Sequence, residues 1–157
     1  MVPNRIPESL LVVGSGAIGI EFASFYSGFG SKVTVVEVLP QILPAEDEEI
    51  AKFAHAQFEK QGITIRTAAK VVSASRASNG QIVAKIEGAA STEESVDAVI
   101  VAAGVQGNVE NLGLEAVGIS FDRGCIAVDE YGRTNVRGIH AVGDMAGPPM
   151  LAHKSRA

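Results

Sequence analysis

The chain has 157 residues, the size of one ordinary domain, and needs no metal or disulfide staple to bury a core. Thirteen Lys and Arg face 18 Asp and Glu, a formal net charge of −5, which argues against nucleic acid or an anionic membrane surface as the main partner. A single cysteine, Cys125, excludes a disulfide framework, a zinc cluster and an intrachain redox pair.

No apolar run approaches the ~18 residues of a membrane helix and no signal peptide is visible, so a cytoplasmic location is expected. Aromatics are 5% with no Trp, and there are 17 glycines. A core of Ile, Val, Leu and Ala with that much Gly suits parallel strands and tight turns.

In chain order, Met1 to Glu8 reads as a polar leading strap with Pro3 and Pro7. Leu10 to Val13 is a short apolar run, as in strands buried on both faces. Helical spacing follows: Ile18, Phe22, Phe25 and Phe29 form one stripe expected to face a core, and Gly30 is a plausible stop. Lys32 to Glu37 is strand-like, rich in Val and Thr. Leu39 to Pro44 reads as a loop. A second helix is expected from near Glu46 to Gly62, its Ile50/Phe53/Ala54/Phe58 stripe inward and its acidic start complementing the helix dipole.

Ile63 to Arg66 returns to the sheet, so β-α-β-α-β implies parallel strands. Lys70 to Arg76 and Gln81 to Glu87 then alternate around Asn79-Gly80, a hairpin signal. Residues 70–97 are expected to form a small antiparallel meander acting as a crossover, with Val99 to Ala102 rejoining the parallel sheet. Cys125 to Val128 and Ile139 to Val142 are expected as two further short strands. The fold expected is α/β: a Rossmann-like parallel sheet with helices on one side and a β-meander crossover.

The sharpest motif is Gly14-Ser15-Gly16-Ala17-Ile18-Gly19, directly after a strand and opening a helix, where a dinucleotide fingerprint belongs. Gly14 allows the sharp turn, Gly16 lets backbone approach a pyrophosphate, and Gly19 lets helix and strand pack closely. Amides of the first helical turn then point at the phosphates. Glu37, at the end of the second strand, supplies a carboxylate for both hydroxyls of the adenine ribose. It would repel a 2′-phosphate by up to ~4 kcal/mol per charge pair at ~4 Å and an effective dielectric of ~20. No basic residue follows before Lys52, so the expected coenzyme is NAD(H), not NADP(H). Glu21, in the early turns of the helix, reads on its own as a surface acid.

Val12-Val13-Gly14-Ser15-Gly16-Ala17-Ile18-Gly19-Ile20-Glu21-Phe22 and Val35-Val36-Glu37 resemble the NAD-binding domain of the pyridine nucleotide-disulfide oxidoreductases, in particular the dihydrolipoamide dehydrogenases. So do Ala102-Ala103-Gly104, the stretch Asn108 to Glu115, and Val142-Gly143-Asp144. The tail from Gly147 to Lys154 resembles the segment that returns into the flavin domain.

The resemblance implies that Gly14, Ser15, Gly16, Ala17, Ile18, Gly19, Ile20 and Glu21 hold the pyrophosphate, with Glu21 toward the nicotinamide. Glu37 would hold the ribose, Val71 would lie against the adenine, and Gly104 would approach the nucleotide through its backbone. Asp144 would bind the ribityl chain of FAD, and Met150, Leu151, Ala152 and His153 would lie near the isoalloxazine. One departure stands after Gly104: Val105-Gln106-Gly107-Asn108 replaces the Arg-x-Pro-Asn of many members.

Family members also carry a flavin domain, a redox cysteine pair and a dimer domain with a His-Glu pair. None of these is recognisable here, so the chain is expected to be an excised middle domain: 1–146 binding NAD and 147–157 a tail leading toward an absent FAD domain. Alone it is expected to be inactive and without FAD. In the whole enzyme the resemblance implies oxidation of dihydrolipoamide by NAD⁺, in a homodimer serving 2-oxoacid dehydrogenase complexes through their lipoyl domains. No catalytic or metal-binding residue is expected in this chain. Cys125 and His140 read as structural and His55 as exposed. Two alternatives share the glycine motif: another flavoprotein reductase of the same family, or a stand-alone NAD-sensing module. Neither Tyr26 nor Tyr131 has a Lys four residues on, so the usual pair of a short-chain dehydrogenase is missing.

Overall fold

A computed structural model describes residues 5–156. They fall into two compact units, one ending at Gly104 and the other beginning at Val105.

In the first unit, β1 (Ser9–Val13) leads into α1 (Ala17–Gly28), β2 (Lys32–Val36), α2 (Glu48–Lys60) and β3 (Thr64–Arg66). The meander β4 (Lys70–Arg76), β5 (Ile82–Glu87) and β6 (Thr92–Val96) follows, and β7 (Ala98–Val101) closes the unit. The main sheet runs β3-β2-β1-β7 and every pairing in it is parallel. The meander is an antiparallel sheet in the order β4-β5-β6.

The period-2 pleat sends alternate side chains to opposite faces. Leu10, Val12, Val33 and Val35 meet Ile20, Ala23 and Tyr26 of α1, with Ala54 and Phe58 of α2 against the same core. Leu11 and Val36 face the other way, onto Ala84 and Ile86 of β5 and Val96 of β6. Helices therefore lie on one side, as expected from the sequence, and the meander covers the other.

Two expectations about the helices fail. Ile18, Phe22, Phe25 and Phe29 do not face the core; Phe25 is 57% and Phe29 59% exposed. The buried row of α1 is Gly19, Ile20, Ala23 and Tyr26. Gly19 is pressed against the β1–α1 turn, and a helix that turns Gly19 inward also turns residues 23 and 26 inward. In α2, Ile50 and Phe53 are exposed, while Ala51, Ala54 and Phe58 pack inward. His55 is half-buried and 3.5 Å from Glu59.

In the second unit, β8 (Phe121–Asp122) and β9 (Cys125–Ile126) form a short antiparallel pair. The strand expected over Cys125 to Val128 is thus shorter than its apolar run. The strand expected over Ile139 to Val142 is absent; His140 makes only an isolated bridge to Arg133. Its flanks, Gly138 and Gly143, have φ of +84° and +74°, which end extended backbone on both sides. Ile119, Ile126 and Ala141 form the small core, with Ile139 and Met145 against it.

Candidate functional site

The glycine loop joins β1 to α1, and each of its glycines answers a different demand. Gly14 has φ +97°, and a Cβ there would lie 2.5 Å from the carbonyl oxygen of Ala102. Gly19 lies under the turn: its Cβ would fall 2.1 Å from the Gly14 carbonyl oxygen. Gly16 is different. Its φ of −63° suits any residue, and a Cβ there would meet nothing within 4 Å. Nothing inside the fold requires glycine at 16; what a Cβ would fill is the open space in front of the helix.

Gly16 is the N-cap of α1 and provides no side-chain cap. The first helical bond is Ile20 N–H to the Gly16 carbonyl at 3.0 Å. Among the described residues, the amides of Gly16, Ala17, Ile18 and Gly19 have no backbone or side-chain acceptor. These orphan donors add to the positive end of the helix dipole, and no acidic side chain in the first turn competes for them.

Glu37 directly follows β2 and is 6% exposed. Its Oε2 accepts the Ser15 amide at 2.8 Å and the Ser15 hydroxyl at 2.7 Å. Oε1 accepts the Leu39 amide at 2.9 Å. Burial opposes ionisation of this group. Hydrogen bonds from the Leu39 amide and from the hydroxyl and amide of Ser15, with the nearby Val38 amide adding the smallest pull, outweigh it and hold the carboxyl below the ordinary carboxylate range. The Leu43 amide donates to the Ser15 carbonyl at 2.9 Å, so the loop after β2 clasps the loop after β1 at both polar ends of one residue. The Ser15 and Leu43 links were not foreseen from the sequence, and no spacing signal announces them.

The other expected positions lie as follows. Ile20 is buried in the core, whereas Glu21 is exposed on α1. The Ala69 amide donates to the Glu37 carbonyl and the Ala68 amide to the Leu39 carbonyl, both at 2.9 Å. This ties the start of β4 to the Glu37 loop. Val71 follows at a β-bulge, partly buried against the meander core. Gly104 has φ +148° and open space where a Cβ would be.

In the second unit, Asp144 is exposed in a short 3-10 turn, Gly143–Ala146. Gly107 packs under that turn: its Cβ would lie 2.7 Å from the Asp144 carbonyl oxygen and from Met145 Cα. Met150 is half-buried, Leu151 exposed, and Ala152 and His153 lie exposed at the start of a second 3-10 turn, Ala152–Arg156. The Lys154 ammonium donates to the carbonyls of Ala146, Gly147 and Pro148. Cys125 is a free, half-buried thiol. No metal-competent cluster of His, Cys, Asp and Glu occurs among the described residues, and no helix among them is long and apolar enough to cross a membrane.

A groove of about 630 Å³ opens elsewhere in the first unit, between Phe22 and Tyr26 of α1 and Ala98 to Val101 of β7. It contains none of the expected site residues. Its carboxylate, Asp97, is engaged by the amide and hydroxyl of Ser9 at 2.9 and 3.0 Å. The convergent polar groups are at the glycine loop, so we place the candidate site there.

A family model described as pyridine nucleotide-disulphide oxidoreductase matches residues 2–157. The chain is 56% identical over 155 residues to a dihydrolipoyl dehydrogenase of Rhizobium etli, covering 98% of this chain and 32% of that protein. It is 51% identical to one from Zymomonas mobilis, covering 98% of this chain and 33% of that protein. Among solved structures, the Cu(II) complex of the HOCl-induced flavoprotein disulfide reductase RclA from Escherichia coli superposes with a TM-score of 0.89 at 34% identity. That match covers 98% of this chain and 34% of RclA. The chain thus spans about a third of the length of the curated relatives it matches.

Proposed function

This chain belongs to the pyridine nucleotide-disulphide oxidoreductase family, and we propose that it is the NAD(H)-binding part of a dihydrolipoyl dehydrogenase. The observation that carries the reading is the open cradle at Gly16. A helix N-terminus with unpartnered amides from Gly16 to Gly19 faces space that a Cβ at 16 would occupy, with an ionised carboxylate, Glu37, bonded to the same loop. This donor set fits a dinucleotide: the amides receive the pyrophosphate and Glu37 receives the adenine ribose.

Nicotinamide, when bound, supplies the hydride chemistry; the residues of this chain bind and orient it. Gly14 and Gly19 shape the turn; Val71 would lie against the adenine, and Gly104 would offer bare backbone to the nucleotide. Glu21, exposed on α1, would face the nicotinamide end. Asp144 would hold the ribityl chain of FAD in the whole enzyme, with Met150 to His153 near the flavin ring. The functional limits remain 1–146 for NAD and 147–157 for the tail. The whole protein would oxidise dihydrolipoamide in the cytoplasm as a homodimer serving 2-oxoacid dehydrogenase complexes. The likeness to RclA keeps a second reading in view, a reductase of the same family acting on another substrate; the sequence flanking this segment in its gene separates the two.

Calorimetric titration with NADH and NADPH, wild type beside Glu37→Ala, tests the coenzyme assignment. NADH should bind more tightly than NADPH. Loss of hydrogen bonds to a charged acceptor should weaken NADH in the variant by about 10- to 100-fold. Tighter binding of NADPH to the wild type, or indifference of NADH to Glu37→Ala, contradicts it.

A further inference from the structure

A carboxylate offers about four lone-pair sites, and Glu37 has three of them filled from within the protein. Ser15 fills both sites on Oε2, through its amide at 2.8 Å and its hydroxyl at 2.7 Å. The Leu39 amide fills one on Oε1. Ser15 is wholly buried, and its carbonyl is held by the Leu43 amide, so its hydroxyl has a fixed place from which to donate. The charged neighbour on the adjoining strand, Arg66, is turned to the meander, where it meets Thr92 at 2.8 Å and Glu94 at 3.4 Å. No ion pair among the described residues reaches Glu37.

We propose that Ser15 is a positioning residue for coenzyme selection. Its hydroxyl locks the Glu37 carboxylate so that a single acceptor site, on Oε1, is left, enough for one ribose hydroxyl in place of the two expected from the sequence. The proposal rests on the coenzyme reading above and refines it. Ser15 lies in the glycine loop, yet its amide is engaged by Glu37 and is withdrawn from any phosphate. The anion cradle therefore begins at Gly16, and Ser15 acts on the sugar end through Glu37. With the carboxylate pinned, a 2′-phosphate meets a charge that cannot swing aside; with the hydroxyl gone, one restraint on that swing is lost.

The test is a double-mutant cycle on the full 157-residue chain, titrated with NADH and with NADPH: wild type, Ser15→Ala, Glu37→Ala and the double variant. Ser15→Ala should weaken NADH by about tenfold and narrow the NADH-over-NADPH preference by a similar factor. In the Glu37→Ala background it should change NADH affinity by less than about twofold, because the effect passes through Glu37. Circular-dichroism melting confirms folding. If Ser15→Ala does not fold, Ser15→Cys, whose thiol is only a weak donor, carries the same comparison.

Wild-type affinity and preference in Ser15→Ala, or a Ser15 effect that persists without Glu37, overturns the positioning role and leaves the coenzyme reading intact. Failure of folded wild type to bind NADH overturns the coenzyme reading itself.

Discussion

A Cβ on Gly19 would lie 2.1 Å from the carbonyl oxygen of Gly14. That approach closes the turn between β1 and α1 and fixes which face of the helix meets the sheet. Gly16, three residues earlier, has no such contact. The same substitution at the two positions therefore separates folding from binding. Gly19→Ala should destabilise the chain by about 1–3 kcal/mol or more through overpacking. Gly16→Ala should cost less than about 1 kcal/mol as an N-cap change, yet abolish measurable NADH binding. Urea unfolding beside NADH titration of both variants checks this; equal stability losses would contradict it.

Stability should also carry an acid limb from Glu37. Its carboxyl titrates lower when folded than when unfolded, because the Leu39 and Ser15 donors outweigh burial. The unfolded chain therefore binds its proton first as pH falls. The stabilisation is complete above the ordinary glutamate range and is lost as pH drops through the depressed folded value. Glu37→Gln lacks this contribution, so the wild-type advantage in urea midpoints should shrink on going from about pH 7 to about pH 3. A constant difference across that range would refute the sign.

The exposed stripe on α1 predicts a contrast within one helix. Phe25→Gln should change unfolding free energy by less than about 0.5 kcal/mol, as exposed positions do. Ile20→Ala, in the core, should cost about 2–5 kcal/mol. A large loss for Phe25→Gln in the isolated chain would mean that the stripe is covered after all.

Gly107→Ala should act in the second unit alone. Its Cβ would press on the turn that carries Asp144, at 2.7 Å from two backbone atoms. Faster amide exchange should appear from Val105 onward, around Gly143–Ala146 in particular, with protection in β1 and β2 unchanged. Uniform loss of protection over both units would show the effect to be global.

The strands of the first unit and the places of its two helices are legible in the sequence because each element satisfies a local rule, whereas the buried faces of the helices are not. Leu10 to Val13 is a continuous apolar run, and Asn79-Gly80 marks the hairpin of the meander. The buried face of α1 was misread for a physical reason. Four large apolar side chains dominate the helical pattern over the small Gly19–Ala23 row, although a glycine that packs helix on strand is what sets the inward face. The hydrogen bonds of Ser15 to Glu37 could not be read at all: they join residues 22 apart in sequence through a loop conformation that no spacing encodes. Ile139 to Val142 does not form the expected strand because so short a segment, Ile-His-Ala-Val, is compatible with a strand or with a turn pinned to a small core.

Binding at the glycine loop is tested most directly by amide NMR of the folded chain titrated with NADH. Saturable shifts should concentrate at Gly16, Ala17, Ile18, Gly19 and Glu37. Shifts confined to the groove between Phe22 and β7, with the loop amides unmoved, would place the coenzyme elsewhere and contradict the assignment.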